Sequence, residues 1–312
     1  MEILVTGGAG FIGSHICHRL IAEGYHVICL DNFDPYYSVT LKRRNIQSLL
    51  TNSKFDLVEG DICDQKLVEG ILKQGIDYVF HLAAQAGVRA SIENPLKTHR
   101  VNTTGLLNIL TACLSTGVKR IINTSSSSVY GRVHYLPFDE VHPLNPISPY
   151  GVSKLSGEHY CQVFSELYGL NIISLRPFTV YGPRMRPDAA ISIFTHKALA
   201  NGTIEIFGDG SATRGFTYID DVVEASILAM ERGKSEAYNV GSSERVSINE
   251  LVEKIIALTG SRSNIIHTEA IKGDVQHTWA SIDKARRDLG WEPKINIDYG
   301  LGKYIAYTKQ IG

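Results

Sequence analysis

A tyrosine and a lysine stand four residues apart in "SPYGVSK" (148 to 154), as Tyr150 and Lys154. Ser148 suits a helix N-cap and Pro149 the first helical position, so the spacing puts phenol and ammonium on one helical face. Taken alone, such a pair is a solvated i, i+4 contact. Beside an oxidised cofactor it is a proton-transfer pair, because neighbouring positive charge favours the phenolate of a group whose ordinary pKa is ~10. Taking hydride from a secondary alcohol requires such a base, with a hydrogen-bonding group to align the hydroxyl. The run "NTSSSSVYG" (123 to 131) supplies hydroxyls at the end of a strand-like segment, where ligands of α/β sheets gather.

A second constellation supplies the cofactor. In "ILVTGGAGFIGSHI" an apolar strand runs into Gly7, Gly10 and Gly13 and then into a helix. That spacing lets backbone amides approach a pyrophosphate and lets the helix pack close to the sheet, with its N-terminus favouring the anion. Asp31 ends the next strand, placed to accept hydrogen bonds from a ribose 2′-hydroxyl and to repel a 2′-phosphate. NAD is therefore expected over NADP, although Lys42, Arg43 and Arg44 are cations near enough in sequence to accommodate a phosphate.

These residues need a scaffold, and the rest of the chain describes one. Apolar, β-branched runs recur at "ILV" (3), "HVICL" (26), "FDLVEG" (55), "YVFHLA" (78), "RIINTS" (120) and "NIISLRPF" (171), with amphipathic stretches between most of them. Strands without polar alternation are buried on both faces, so the expectation is a Rossmann-type doubly wound parallel sheet between helices, over residues 1 to 178. Residues 179 to 312 are richer in Gly, Pro and Arg clusters and read as a smaller C-terminal substrate-binding domain. Helices are expected near 220 to 232 and 248 to 259. The strand-like "EAYNVG" (236 to 241) points to a discontinuous boundary, with segments near 220 to 241 returning to the first domain.

With 312 residues, 44% hydrophobic and 20% charged, the chain can bury a sizeable core. Its 31 Lys+Arg against 32 Asp+Glu leave no global field for nucleic acid or an anionic membrane, so an anionic ligand must be met by local charge. Five scattered cysteines without a CxxC pair suggest a reducing, cytoplasmic setting. A strand beginning at Glu2 leaves no room for a signal peptide, and no apolar run is long enough to span a membrane. No histidine pattern marks a metal site, and His81 reads as structural.

The glycine spacing, "YGVSK", "HLAA" (81 to 84) and Asn102 in "VNTTG" together resemble the extended short-chain dehydrogenase/reductase family along almost the whole chain. The resemblance implies cofactor contacts at Gly7, Gly10, Phe11, Ile12, Gly13, Asp31, Asn32, Asp61, Ile62, Ala83, Ala84 and Asn102, besides Tyr150 and Lys154. It makes Ser126 the hydroxyl partner, Tyr150 the acid/base and Lys154 its electrostatic and ribose-binding support. Nucleotide-sugar enzymes of this family share signatures similar to "LRPFTVYGP", "IEIFGDG", "TRGFTYIDD" and "GDVQHTWASIDKA". Arg214 is then the candidate for the substrate diphosphate, Arg89 for the sugar or diphosphate end, and Asp274 a further substrate-binding residue. Gly215 and Ile271 depart from the pattern, since many relatives carry Asp and Arg there, and Lys272 is a substitute for the latter.

Within that branch, "DNFDPYYSVTLKR" (31 to 43), "HLAAQAGVRASIENP" (81 to 95) and "FTVYGPRMRPDAAISIFT" (178 to 195) resemble UDP-glucuronate 4-epimerases. This implies a uronate carboxylate held by Ser128, Thr179 and Arg186, with Ser127 a further substrate contact, and a homodimer formed through helices near 103 to 116 and 150 to 168. The chemistry implied is a 4-epimerisation: Tyr150 removes the 4-hydroxyl proton as hydride passes to NAD⁺, and the 4-keto sugar turns before hydrogen returns to its other face. UDP-glucose is the alternative substrate. "SSVYG" lacks the acid of the "SEVYG" and "DEVYG" that related decarboxylases and dehydratases carry, which favours epimerisation. A non-catalytic, dinucleotide-sensing scaffold would have no need of the Tyr150–Lys154 spacing.

Overall fold

The computed structural model describes residues 1–269 and 276–311. In chain order its strands are β1 (Glu2–Thr6), β2 (His26–Asp31), β3 (Phe55–Glu59), β4 (Tyr78–His81), β5 (Arg120–Thr124), β6 (Ile172–Pro177), β7 (Val180–Tyr181), β8 (Ile204–Phe207), β9 (Thr213–Arg214), β10 (Thr217–Tyr218), β11 (Ala237–Val240), β12 (Val246–Ser247), β13 (Ile265–Thr268) and β14 (His277–Thr278). The helices are α1 (Phe11–Ala22), α2 (Val39–Ile46), α3 (Gln65–Leu72), α4 (Val88–Glu93), α5 (Pro95–His99), α6 (Gly105–Cys113), α7 (Pro149–Tyr168), α8 (Ala190–Leu199), α9 (Ile219–Glu231), α10 (Ile248–Thr259), α11 (Asp283–Leu289) and α12 (Ile297–Ile311).

Seven strands form one sheet in the order β11-β6-β5-β4-β1-β2-β3, and every pairing in it is parallel. Alternate residues of each strand enter two different cores. Ile3 and Val5 join Ile16 and Leu20 of α1 and Val222 and Val223 of α9. Leu4 joins Val68 and Ile71 of α3 and Leu106 and Leu110 of α6 on the other face. Both faces are covered, which is the physical reason the strands read as unbroken apolar runs. The direction of winding reverses between β1 and β4, and the crevice outside their carboxyl ends is where this architecture binds ligands.

The segment after β6 builds short pairings (β7 with β10, β12-β9-β14, β8 with β13) around α8, α10 and α12. Between them the chain goes back to the main sheet: α9 packs on α1, and β11 pairs with β6 from Ala237 opposite Ser174 to Val240 opposite Pro177. No helix among the described residues is long and apolar enough to cross a membrane.

Trp291 fastens α11 to α9. Its side chain is 1% exposed, and its indole N–H donates to the Asp221 carbonyl at 2.9 Å. Trp291→Ala should cost about 3–5 kcal/mol through cavity formation and the unpaired carbonyl; a urea midpoint equal to that of the unchanged protein would contradict this.

Candidate active site

The first glycine turn is a backbone contact that side chains would prevent. Gly7 has φ +68°, and a Cβ there would stand 2.8 Å from the Ala83 nitrogen; one on Gly13 would stand 2.2 Å from the Gly7 carbonyl oxygen. The N-terminus of α1 therefore opens directly onto the crevice, with the amide-lined cradle a pyrophosphate needs. Asp31 accepts from the Ala9 amide at 3.1 Å and the Phe33 amide at 2.8 Å. Burial raises its pKa and these bonds oppose the rise. Carboxylate lone pairs beyond those two bonds are left for ribose hydroxyls.

Each nearby cation has a protein partner, although Lys42 lines the cavity beside Asp31. Arg43 makes a two-pronged pair with Glu59 at 2.8 and 2.9 Å, Arg44 donates to the Ile311 carbonyl, and Lys42 donates to the Asp34 carbonyl at 2.8 Å. With Asp31 in place and these groups engaged, the site fits NAD rather than its 2′-phosphate.

The end of β4 is tied down by hydroxyl chemistry. Thr6 Oγ1 accepts from the Leu82 and Ala83 amides, each at 3.2 Å, so its own proton goes to His81 Nδ1 at 2.9 Å. His81 then carries its proton on Nε2. Burial, with the Lys154 charge adding, pulls its pKa down to about 3, so it is neutral and structural. Asn102 accepts from the Gln85 amide at 2.7 Å and donates to the Gln85 carbonyl and to Ser153 Oγ. It braces the loop from behind and does not line the crevice.

The serine run meets the N-terminus of α7. Ser148 caps that helix by accepting from the Gly151 amide at 3.1 Å, with Pro149 in its first turn. Ser126 accepts from the Ser128 amide at 3.1 Å and lies close enough to the Tyr150 hydroxyl to influence its proton. Burial raises the Tyr150 pKa; the Arg186 guanidinium and the Ser126 hydroxyl lower it. Lys154 donates from Nζ to the Thr124 carbonyl at 2.7 Å and lies 6.0 Å from the Tyr150 ring centroid. Burial brings its pKa down to about 8.

One cavity of 440 Å³ joins these parts. Gly7, Gly10, Phe11, Ile12, Gly13, Asp31, Asn32, Asp61, Ile62, Ala83 and Ala84 line one arm. Ser126, Ser127, Ser128, Tyr150, Lys154, Thr179 and Arg186 line the other. Arg89 stands outside it on α4, exposed and stacked toward Phe207 at 5.7 Å. Arg214 also stands outside, donating to the Thr213 and Gln276 carbonyls at 3.0 and 2.9 Å. Gly215 leaves no space for the aspartate of relatives, since a Cβ would lie 2.8 Å from the Ser242 carbonyl. Asp274, Ile271 and Lys272 lie outside the described residues.

Some parts of the site had not been anticipated. Arg186 pairs with Asp188 at 3.2 Å, and Tyr36 donates to the other oxygen of Asp188 at 2.8 Å, which bridges the loop after β2 to the loop before α8. Two adjacent tyrosines in "DPYY" were the available signal. A Cβ on Gly151 would stand 2.5 Å from the Ser128 carbonyl oxygen, so this glycine lets α7 reach the serine run. Glu158, with Ser125 and Arg176, forms a buried cluster under the run.

A parallel sheet with a glycine cradle, an acid at the second strand end and a tyrosine–lysine pair beside the carboxyl edge defines a dinucleotide-dependent α/β enzyme. The chain belongs to the NAD dependent epimerase/dehydratase family, whose match spans residues 3–241, and NAD is its cofactor. A UDP-glucuronate 4-epimerase from Thermodesulfobacterium geofontis is 38% identical over 98% of this chain and 96% of its own length. Among solved structures, the UDP-glucuronic acid 4-epimerase of Bacillus cereus in complex with UDP-glucuronic acid and NAD is 39% identical, covers 100% of both chains and has a TM-score of 0.95. The UDP-glucose 4-epimerase of Thermotoga maritima with UDP-glucose is 38% identical over 100% of this chain and 99% of its own, with a TM-score of 0.93.

Gly151→Ala should push α7 away from the serine run. The expected result is a fall of ~tenfold or more in kcat with NAD retained, because small misplacements at the reacting centre are costly; unchanged kcat would show that the contact has slack.

Proposed function

We propose that this protein, a UDP-sugar 4-epimerase, acts on UDP-glucuronate and gives UDP-galacturonate, with Tyr150 as acid/base, Ser126 aligning the 4-hydroxyl and Lys154 in support. The observation that carries the uronate reading is one wall of the cavity. Ser127, Ser128, Thr179 and Arg186 line it together with Tyr150 and Lys154. Thr179 is held at φ +23°, a backbone state unfavourable for a β-branched residue, and such strain is kept where function over-determines it. Hydroxyls and a guanidinium are the donors a carboxylate requires. The Bacillus cereus neighbour, with its bound UDP-glucuronic acid, supports the same reading.

In the proposed mechanism NAD⁺, when bound, supplies reversible hydride acceptance. Tyr150 takes the proton of the 4-hydroxyl, with Ser126 holding that hydroxyl in line, and later returns a proton to the 4-oxygen. The Arg186 charge lowers the cost of the phenolate in a buried setting. Ser127, Ser128 and Thr179 keep the carboxylate turned so that its breaking bond lies poorly aligned with the carbonyl, which suppresses loss of carbon dioxide. The carboxylates lining the cavity are Asp31, Asp34 and Asp61, on the β2 and β3 side. None stands in the serine run to protonate a leaving group, as dehydration would require.

UDP-glucose is the second reading, and one observation favours it: Asp188 already occupies part of the Arg186 guanidinium. Incubation with each sugar nucleotide and identification of the product by NMR decides between them. UDP-galacturonate formation at the higher kcat/KM is expected. Tyr150→Phe should lose about 10²–10⁴ in kcat while retaining NAD; a variant turning over at the unchanged rate would remove the acid/base role.

The same reading includes a homodimer in a reducing compartment. Leu167, Val152 and Val163 on α7 are exposed, as is Leu96 on α5, which packs on α7; exposed large apolar side chains on neighbouring helices favour association. All five cysteines are free. Light scattering of the purified protein is expected to give twice the chain mass, and the single-chain mass would refute the dimer.

A further inference from the structure

Tyr150, Lys154 and Glu158 are spaced one helical turn apart on α7, and each faces one of three consecutive residues at the end of β5. Tyr150 lines the cavity beside Ser126, Lys154 donates to the Thr124 carbonyl at 2.7 Å, and Glu158 Oε1 accepts the Ser125 hydroxyl. Glu158 is in turn fixed by Arg176 of β6, whose Nε lies 2.9 Å from Oε1 and whose Nη2 lies 2.6 Å from Oε2. Both side chains of this pair are buried, at 4% and 8% exposure. Arg176 also donates to the Tyr130 hydroxyl at 2.9 Å, which donates to Asn239 of β11 at 2.7 Å. The carboxylate therefore cannot swing aside.

Burying an ion pair is a poor source of stability, because desolvation offsets most of the attraction. A carboxylate held this firmly has another use. We propose that Glu158 is a positioning residue for the reaction: held by Arg176, it keeps the strand end 124–126 in register with α7 through Ser125. The inference rests on the reading of Tyr150 and Lys154 as the reacting pair. Glu158 itself does not line the cavity.

The charge environment of Lys154 gives this a readout that folding alone would not move. Burial lowers the lysine and Glu158 raises it; Cys161, its own pKa pushed up to about 12 by burial, stays uncharged where the lysine titrates. The other titratable or charged groups around it are Tyr150 on the same helix, the neutral His81 at the end of β4, Arg176 on β6 behind Glu158, and Arg186 beyond the phenol. Removing the Glu158 charge lets the ammonium lose its proton at lower pH. The alkaline limb of kcat then moves down.

The test uses the NAD-loaded protein as purified, with UDP-glucuronate and UDP-glucose, and compares Ser125→Ala, Glu158→Gln, Glu158→Asp and Tyr150→Phe. Ser125→Ala leaves the Glu158–Arg176 pair intact; it is expected to lose ~tenfold in kcat with KM nearly unchanged and no change in melting temperature. Glu158→Gln is expected to shift the alkaline limb to lower pH, and Glu158→Asp to restore part of the shift. If Glu158→Gln does not fold, Ser125→Ala decides. An inactive Tyr150→Phe with wild-type kcat and pH profile in the Ser125 and Glu158 variants overturns this inference alone. A fully active Tyr150→Phe overturns the underlying acid/base reading and this inference with it.

Discussion

The closeness of α7 to the carboxyl end of β5 constrains the rest of the site. Helix and strand end touch through backbone at Gly151 and through side chains at Tyr150, Lys154 and Glu158, so hydroxyl, phenol and ammonium have little freedom relative to one another. The proposed proton transfer demands reach within a hydrogen bond, and the approach at Gly151 leaves no room for a Cβ. The helix is therefore capped, given a proline start and anchored to β6 by a buried ion pair. Each of these features fixes the direction in which the first turn of α7 points.

The cofactor arm is built in the same way. Gly7 and Gly13 bring backbone against backbone, and side chains answer several of the loop amides: Asp31 takes those of Ala9 and Phe33, Thr6 those of Leu82 and Ala83, Asn102 that of Gln85. Buried amides need partners, and when side chains supply them the loops become rigid without becoming regular structure. Such loops present their remaining amides to a ligand in a fixed array.

Charge is handled locally. The chain is close to neutral as a whole, so its cations are spent one by one. Arg176 holds a helix, Arg43 a strand, and Arg186 sits between Asp188 and the phenol it influences. Arg89 and Arg214, expected from the sequence to contact the sugar nucleotide, are not among the residues that line the described cavity. Arginine type and a family-like neighbourhood identify a residue able to bind phosphate; they do not say which way the loop carrying it turns.

Much was legible in the sequence because it depended on local rules. Unbroken apolar runs announced a sheet covered on both faces, the serine and proline announced the start of α7, and the glycine spacing announced the close strand-to-helix turn beside Asp31. Those signals lie within a few residues of one another, where covalent geometry and periodicity govern. What remained hidden was pairing between distant segments: Asn102 as a brace, Tyr36 with Asp188 across 152 residues, and Glu158 with Ser125 and Arg176. A composition can show that a carboxylate and a guanidinium exist, but only the crossing of helix on sheet brings them within 3 Å and removes the water that would otherwise separate them.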